Sequence, residues 1–196
     1  MAITDKLLLA FHYFDNANKQ DPNTEVFKGT TYPKEILYAI RMTERLNEFN
    51  PNASEVLQLT ARCQHICRWE IPRDCYEMNR EGYLRWRQDL KNYHVKKSTT
   101  ILKNVGYTQE TIAKVCFLLE KKQLKKNKET QCLEDVVCLV FLEFYFEPFA
   151  LKHPEDKTID ILQKTWRKMS NEGQNAALKL PLSKFASTLI SKALAN

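Results

Sequence analysis

The spacing of apolar side chains along the chain is that of α-helices. Apolar residues recur every three or four positions, as in Ile36, Leu37 and Ile40, and no segment shows the strict alternation of a β-strand. Prolines, glycines and capping residues divide this pattern into separate helices. The sequence therefore predicts an all-α fold, a single compact bundle of about seven to eight helices forming one domain over residues 1–196.

Capping residues suggest where the helices begin and end. Thr4 and Thr108 are expected to cap the first and fifth helices, Pro33 to open the second, and Gly106 to end the fourth. Asn52 or Ser54 is expected to open the third. The expected helices cover approximately residues 4–17, 33–49, 54–69, 80–103, 108–119, 129–149, 154–166 and 181–194.

The sixth expected helix, residues 129–149, is apolar on nearly every face, which is typical of a helix inside a bundle. Glu134 and Asp135 are unusual there, because a buried carboxylate needs an ion pair, hydrogen bonds or a metal. The alternative is that both lie in the first turn, where the helix dipole and water tolerate an acid.

Composition narrows the possible functions only modestly. Four glycines in 196 residues disfavour β-sandwiches, barrels and glycine-rich nucleotide loops, and a net charge of +6 permits an anionic ligand or RNA without requiring one. The N-terminal sequence lacks the features of a signal peptide, and no apolar stretch is long enough to span a membrane. We expect a cytoplasmic protein with six reduced, structural cysteines and no membrane partner.

Polar residues are concentrated in residues 61–73, within an otherwise apolar helical pattern. Arg62, His65 and Trp69 recur at helical spacing and could present a guanidinium, an imidazole and an indole to an anion. The alternative is a core histidine bonded to a carbonyl, with Arg62 in a salt bridge.

Further arginines, interleaved with aromatic residues, follow this stretch. This arrangement suits phosphate contacts and stacking, and it equally suits side chains lying over a seam between helices. The candidate ligand-binding residues are therefore Arg62, Arg68, Trp69, Arg73, Arg85 and Arg87. The lysine-rich segment 121–128 is typical of a solvated helix end, with a weak polyanion patch as the alternative.

Several sequence blocks resemble an uncharacterised family known as "domain of unknown function 4202". The blocks are YAIRM at 38–42, ARCQHICRWEIPR at 61–73, GYLRWR at 82–87, LEDVVCLVFLE at 133–143 and KTWRKMS at 164–170. This resemblance covers nearly the whole chain. It implies no activity.

The chain also resembles the histidine–aspartate (HD) phosphohydrolases, all-α enzymes in which histidines and aspartates hold a divalent metal. The resemblance implies an HD-like bundle in which His65, His94 and Asp135 are metal ligands or acid–base groups. The pattern departs from the family at Ile66, where the aspartate of the His-Asp pair would lie, and at Tyr38, near the place of the first histidine; Glu35 is a conceivable substitute.

Three functional hypotheses follow. The first is a hydrolase of a phosphate-containing small molecule or nucleotide, with a degenerate site for a divalent metal. The second is a non-catalytic binding or regulatory module, without a cofactor, that holds an anionic ligand, nucleotide or RNA in an Arg/Trp/His pocket. The third is a structural protein that forms a stable oligomer. The sequence leaves the oligomeric state open.

Overall fold

The computed structural model describes residues 5–195, which form ten α-helices and one two-stranded hairpin. The all-α prediction is confirmed, although the expected helix number is slightly too low. Thr4, the expected first cap, lies outside the described residues. Among residues 5–195, no helix combines the length and the apolar character needed to cross a bilayer.

The chain groups into two compact units, Met1–Lys122 and Gln123–Asn196, called unit 1 and unit 2 below. The prediction of a single domain stays a prediction. The described elements of unit 1 are α1 (Asp5–Asn18), β1 (Thr24–Phe27), β2 (Thr30–Pro33), α2 (Lys34–Phe49), α3 (Glu55–Cys63), α4 (Arg80–Val105) and α5 (Gln109–Leu119). Unit 2 contains α6 (Lys128–Val140), α7 (Phe146–Ala150), α8 (Glu155–Lys168), α9 (Asn171–Ala177) and α10 (Lys184–Leu194).

Most predicted helix ends are confirmed by the capping geometry. The side chains of Ser54 and Thr108 accept hydrogen bonds from the first turns of α3 and α5. Gly106 ends α4 with a φ of 86°, a left-handed conformation that glycine adopts without steric cost.

The third helix is shorter than the sequence predicts. It ends at Cys63 instead of near Trp69, and Cys67 has a left-handed φ of 51° that no α-helix accommodates. A short 3-10 turn, Arg68–Glu70, follows. Residues 64–71 therefore form a turn, and this turn carries much of the candidate site.

The expectation that the chain has no strand is wrong for residues 24–33. These residues form an antiparallel hairpin in which Thr24 pairs with Pro33 and Phe27 with Thr30, around a turn containing Gly29 at φ 78°. The hairpin is stabilised against α2 because Arg41 forms an ion pair with Glu25 at 2.8 Å and lies over the Phe27 ring. The apolar alternation that signals a strand is absent because none of the eight strand residues is fully buried.

The core of unit 1 lies between α1, α3, α4 and α5. Its fully buried members come from all four helices, among them Phe14, Leu59, Leu102 and Val115. Burying side chains of this size stabilises the fold by roughly 1.5–3 kcal/mol each. The turn after α3 is joined to this core because Ile66 and Cys67 are themselves members.

In unit 2 the predicted helix 129–149 is divided. A π-helical turn, Phe141–Tyr145, separates α6 from α7 and widens the helix by one residue. The aromatic rings on either side pack edge to face, with Phe141 6.1 Å from Phe146 and 6.4 Å from Phe149 between ring centroids. The predicted segment 129–149 is largely buried, as expected. It is not one regular α-helix, because the π-helical turn interrupts it.

Candidate functional site

The first turn of α2 is positioned by polar side chains that precede it in the chain. Pro33 stands at the N-cap and supplies no side-chain acceptor. The Asp21 carboxylate takes that role by accepting a hydrogen bond from the Glu35 backbone N–H at 3.1 Å. Asn18 donates to the Glu35 carbonyl oxygen at 3.4 Å. These contacts fix the position of Glu35, and Tyr38 follows one helical turn later.

The turn after α3 is held by the same asparagine. Asn18 Oδ1 accepts a hydrogen bond from the Cys67 backbone N–H at 2.9 Å. This bond supports the left-handed backbone at Cys67, which costs a non-glycine residue about 1–2 kcal/mol. The turn brings Arg68 back beside His65, with 3.3 Å between Arg68 Nη1 and His65 Nε2.

His65 lies at the centre of a group of five side chains that we call the His65 cluster. The Tyr38 ring stacks on the His65 ring, with centroids 3.9 Å apart and planes 11° from parallel. The His94 ring, from α4, lies 5.9 Å away. Glu35 Oε2 is 3.6 Å from His65 Nδ1. The cluster consists of Glu35, Tyr38, His65, Arg68 and His94.

The contact with Arg68 determines the tautomer of His65. A guanidinium carries only donors, so His65 Nε2 must accept the hydrogen bond and cannot carry a proton. The ring is therefore neutral with its proton on Nδ1, the nitrogen that faces the Glu35 carboxyl. Arg68 thus donates to one nitrogen of His65, and the N–H of the other nitrogen faces the Glu35 carboxyl at a distance too long for a hydrogen bond.

Arg68 is held by an aromatic ring instead of a carboxylate. Its guanidinium lies 4.9 Å from the centre of the Trp86 ring, whose Nε1 donates to the Ile71 carbonyl at 2.8 Å. Within residues 5–195, no carboxylate oxygen lies within ion-pairing distance of this guanidinium. The cluster therefore contains a half-buried positive charge without a direct ion pair, and the Glu35 carboxyl in the same cluster acts on this charge only at longer range.

Burial shifts the pKa values of three cluster residues toward their neutral forms. It raises the pKa of Glu35 to about 7, with Arg68 opposing the shift and Asp21 adding to it. Burial, reinforced by the nearby Arg68 charge, lowers the pKa of His94 to about 3 and the pKa of His65 well below its usual range. Both imidazoles are therefore neutral at physiological pH.

Several buried polar atoms in and beside the cluster lack hydrogen-bond partners among the described residues. They are Glu35 Oε2, Gln64 Oε1 and His94 Nε2. Leaving such an atom unsatisfied costs about 1–3 kcal/mol, and most buried polar atoms in folded proteins are satisfied. These three atoms lie at the start of α2, in the turn after α3 and on α4. Together they indicate a place where a ligand or solvent supplies the missing hydrogen bonds.

Two of the predicted ligand-binding residues have structural contacts. Arg62 forms a two-pronged ion pair with Asp15, at 2.9 and 2.6 Å, and donates to Thr43 at 3.2 Å. This is the salt bridge that was the alternative for Arg62. Trp69 packs against the unit 1 core.

The other predicted arginines lie outside the cluster as well. Arg73 donates to three backbone carbonyls, those of Tyr76, Glu77 and Asn79, and so closes the loop before α4. Arg85 pairs with Glu81, and Arg87 lies over the Tyr83 ring and donates to its hydroxyl. Of the six predicted ligand-binding residues, only Arg68 hydrogen-bonds to the His65 ring, although the Arg87 charge is near enough to help lower the His65 pKa.

Asp135 has a complete set of partners inside unit 2. Its Oδ1 accepts hydrogen bonds from Gln131 Nε2 at 3.0 Å and the Ser170 backbone N–H at 2.8 Å, and its Oδ2 accepts from Ser170 Oγ at 2.7 Å. Ser170 in turn caps α9 through the Gly173 N–H. Asp135 is thus hydrogen-bonded in the way that a buried carboxylate requires, and it joins α6 to the start of α9.

The structure brings two of the three expected metal ligands together, because His65 and His94 both belong to the cluster. Over residues 5–195, however, no three histidine, cysteine, aspartate or glutamate side chains are arranged to hold a metal ion. The ring nitrogen of His65 that a metal would use, Nε2, accepts from the Arg68 guanidinium. All six cysteines are free thiols.

The sequence singled out His65, Arg68 and His94, but it gave Glu35 and Tyr38 only as departures from a metal pattern. Their three-residue spacing places them on one face of α2, a signal that was available. What the spacing could not show is that the turn at Cys67 folds His65 onto that face.

The family comparison agrees with the sequence blocks. The model of the family "Domain of unknown function (DUF4202)" matches residues 9–190. The chain belongs to this family. No curated protein and no solved structure matches the chain. For this DUF4202 protein, the likeness to HD phosphohydrolases stays a prediction.

Proposed function

We propose that unit 1 of this DUF4202 protein binds a small phosphate-containing molecule at the His65 cluster. The observation that carries the proposal is the Arg68 guanidinium, which is half-buried, has no carboxylate partner, and lies among buried polar atoms that lack hydrogen bonds. A bound anion would neutralise that charge and supply the missing contacts.

Phosphate suits the chemistry of these side chains. The planar guanidinium donates parallel hydrogen bonds that match phosphate oxygens, and its stacking on Trp86 reduces the freedom lost on binding. A carboxylate would satisfy Arg68 in the same manner. The resemblance to phosphohydrolases favours phosphate, and acetate serves as the comparison ligand.

Arg68 supplies the positive charge that a divalent metal supplies in an HD enzyme. Its guanidinium bonds to the His65 nitrogen that would otherwise bind such an ion. A cofactor-free binding module therefore fits this geometry better than a metal centre does. Metal content of the same purified sample, measured by elemental mass spectrometry, tests this part of the proposal.

The binding proposal is tested by calorimetric titration with methyl phosphate at constant pH. We expect saturable binding that Arg68→Ala weakens about tenfold or more, because a charge-assisted hydrogen bond contributes about 1.5–3 kcal/mol. Arg80→Ala, at an exposed arginine at the start of α4, is the matched control and should bind normally. Absence of binding, or equal weakening by both variants, would contradict the proposal. A stable oligomer without ligand binding would favour the structural hypothesis.

A phosphohydrolase is the second candidate, favoured by the carboxyl of Glu35 beside His65. In such a reaction water attacks phosphorus and the ester P–O bond breaks. Glu35 donates its proton to the leaving oxygen, and the carboxylate then takes up a proton from the attacking water. The raised pKa of Glu35, about 7, keeps a proton available for this step near neutral pH. Release of inorganic phosphate from glycerol phosphate, an ester whose alkoxide leaving group needs this proton, would support this candidate if it is lost in Glu35→Gln and kept in Glu48→Gln.

A further inference from the structure

We infer that the ligand of the His65 cluster carries a single phosphate together with a neighbouring hydroxyl, as in a sugar or polyol monophosphate, with the phosphate on Arg68 and the hydroxyl on Glu35. The inference rests on the proposed function and narrows its ligand class.

The restriction to one phosphate follows from the charge of the cluster. Arg68 is its only cation among the described residues, because His65 accepts a hydrogen bond and is therefore neutral, and His94 is buried. Of the cations near the cluster, Arg62 pairs with Asp15 and Lys97 with Glu70. The others, Lys34, Arg87 and Lys121, are exposed or half-exposed, so that solvent screens their charges. One guanidinium matches one phosphate group, whereas a second or third phosphate would enter the site without a counter-charge and beside the Glu35 carboxyl.

The requirement for a hydroxyl follows from the unpartnered carboxyl oxygen. Glu35 Oε2 receives no hydrogen bond from any described residue, and the nearest ring nitrogen, His65 Nδ1, lies 3.6 Å away. Its side chain is 13% exposed, so solvent satisfies it poorly. A phosphate dianion has no proton to donate to this oxygen, while a hydroxyl has one.

The geometry places these two contacts at a distance that one small molecule can span. Arg68 and Glu35 approach opposite nitrogens of the same imidazole, so that only the edge of the His65 ring separates them. The Tyr38 ring covers one face of that imidazole and keeps it in place. A phosphate ester with a hydroxyl a few bonds away is long enough to contact both the guanidinium and the carboxyl.

The experiment compares four ligands on the wild-type protein by calorimetry at one pH: methyl phosphate, ribose 5-phosphate, pyrophosphate and tripolyphosphate. We expect ribose 5-phosphate to bind about tenfold more tightly than methyl phosphate, which is the effect of one hydrogen bond to a charged group. Pyrophosphate and tripolyphosphate should bind no more tightly than methyl phosphate. Affinity that rises with each added phosphate would overturn the inference, and so would equal affinities for the two esters.

Variants connect the preference to the proposed contacts. Glu35→Gln should reduce the preference for ribose 5-phosphate to less than about threefold while methyl phosphate binds at least as tightly as before, since the variant weakens the hydroxyl contact and removes a carboxylate from beside the phosphate. Glu48→Gln, an exposed glutamate on the same helix, should leave the preference intact. An unchanged preference in Glu35→Gln would overturn the inference alone. Failure of every phosphate to bind the wild type would overturn the proposed function itself.

Discussion

His94 shows how burial determines the state of a single residue. The ring is 5% exposed, its Nε2 has no described partner, and its pKa is lowered to about 3 by burial and then by the Arg68 charge. The ring is therefore neutral in the folded protein at any pH above about 4. In the unfolded chain it is protonated below its ordinary pKa of about 6.5.

This difference predicts an acid-dependent loss of stability. Because the pKa of His94 is lower in the folded state, the unfolded chain binds a proton that the folded protein does not. The contribution of neutral His94 to the free energy of unfolding is therefore fully present above pH 6.5 and declines as the pH falls toward 3. We expect wild type to lose more unfolding free energy between pH 7 and pH 4.5 than His94→Gln does, by roughly 1–3 kcal/mol. Urea unfolding at both pH values measures this. Equal losses in the two proteins would contradict the burial of a neutral His94.

Cys67 is a second residue whose role is conformational. Its φ of 51° is unfavourable for branched side chains, and the turn that it forms carries His65 and Arg68. We expect Cys67→Val to lower the unfolding free energy by about 2 kcal/mol or more, whereas Cys67→Gly, which relieves the strain but loses a buried side chain, should cost less.

The control for this pair is Cys138→Val, at a buried cysteine in the regular helix α6, where the backbone is helical and not left-handed. Thermal or urea unfolding of the three variants gives the comparison. If Cys67→Gly is as damaging as Cys67→Val, the side chain and not the left-handed backbone is what the turn requires.

At the scale of elements, the contact between α6 and α9 rests on one carboxylate. Asp135 receives three hydrogen bonds, and Gly173 packs directly on it: a Cβ on Gly173 would lie 2.6 Å from Asp135 Oδ1. The start of α9 therefore depends on a buried acid from another helix. The alternative role of Asp135, as a metal ligand, makes a different prediction.

We expect Asp135→Ala to lower the unfolding free energy by roughly 2–4 kcal/mol, because a helix cap is lost and buried donors are left unpaired. Gly173→Ala should cost about 1–3 kcal/mol through the clash with the same carboxylate. Asp160→Asn, at an exposed pair on α8, is the control and should change stability little.

Repeating the unfolding with a chelator separates the two roles of Asp135. If the loss of stability in Asp135→Ala disappears when chelator is present, Asp135 is a metal ligand.

Sequence periodicity and caps predicted most of the helices because these are local properties. Ser54, Gly106 and Thr108 act on their own helices, so their identity is sufficient. The turn at residues 64–71 and the hairpin at 24–33 escaped prediction because distant contacts hold them, those of Asn18 with Cys67 and of Arg41 with Glu25. Tertiary contacts of this kind override local propensity.

The sequence likewise indicated some of the residues of the candidate site but not the contacts that distinguish them. His65, Arg68 and His94 were recognisable as polar residues in apolar helical surroundings. Sequence spacing could not distinguish Arg68 from Arg62, since both lie within a turn of His65. The distinction arises because Asp15, from α1, neutralises only Arg62.

Across the whole molecule, the net charge of +6 attracts anions to the surface in general. Such attraction is weak, is screened by salt and favours no particular histidine. A ligand bound at a specific site, in contrast, changes the surroundings of only those groups that line the site. The four histidines are suitable reporters, since His65 and His94 belong to the cluster, whereas His12 lies on α1 bonded to Asn16 and His153 lies in unit 2 against Phe149.

The most direct measurement is therefore the ¹H–¹⁵N spectrum of the histidine side chains during titration with methyl phosphate at constant pH. Before ligand is added, His65 should show the neutral tautomer with its proton on Nδ1. Saturating ligand should shift the signals of His65 and His94 and leave those of His12 and His153 in place. A proton on His65 Nε2 at the outset, or shifts confined to His12 and His153, would contradict the proposed site.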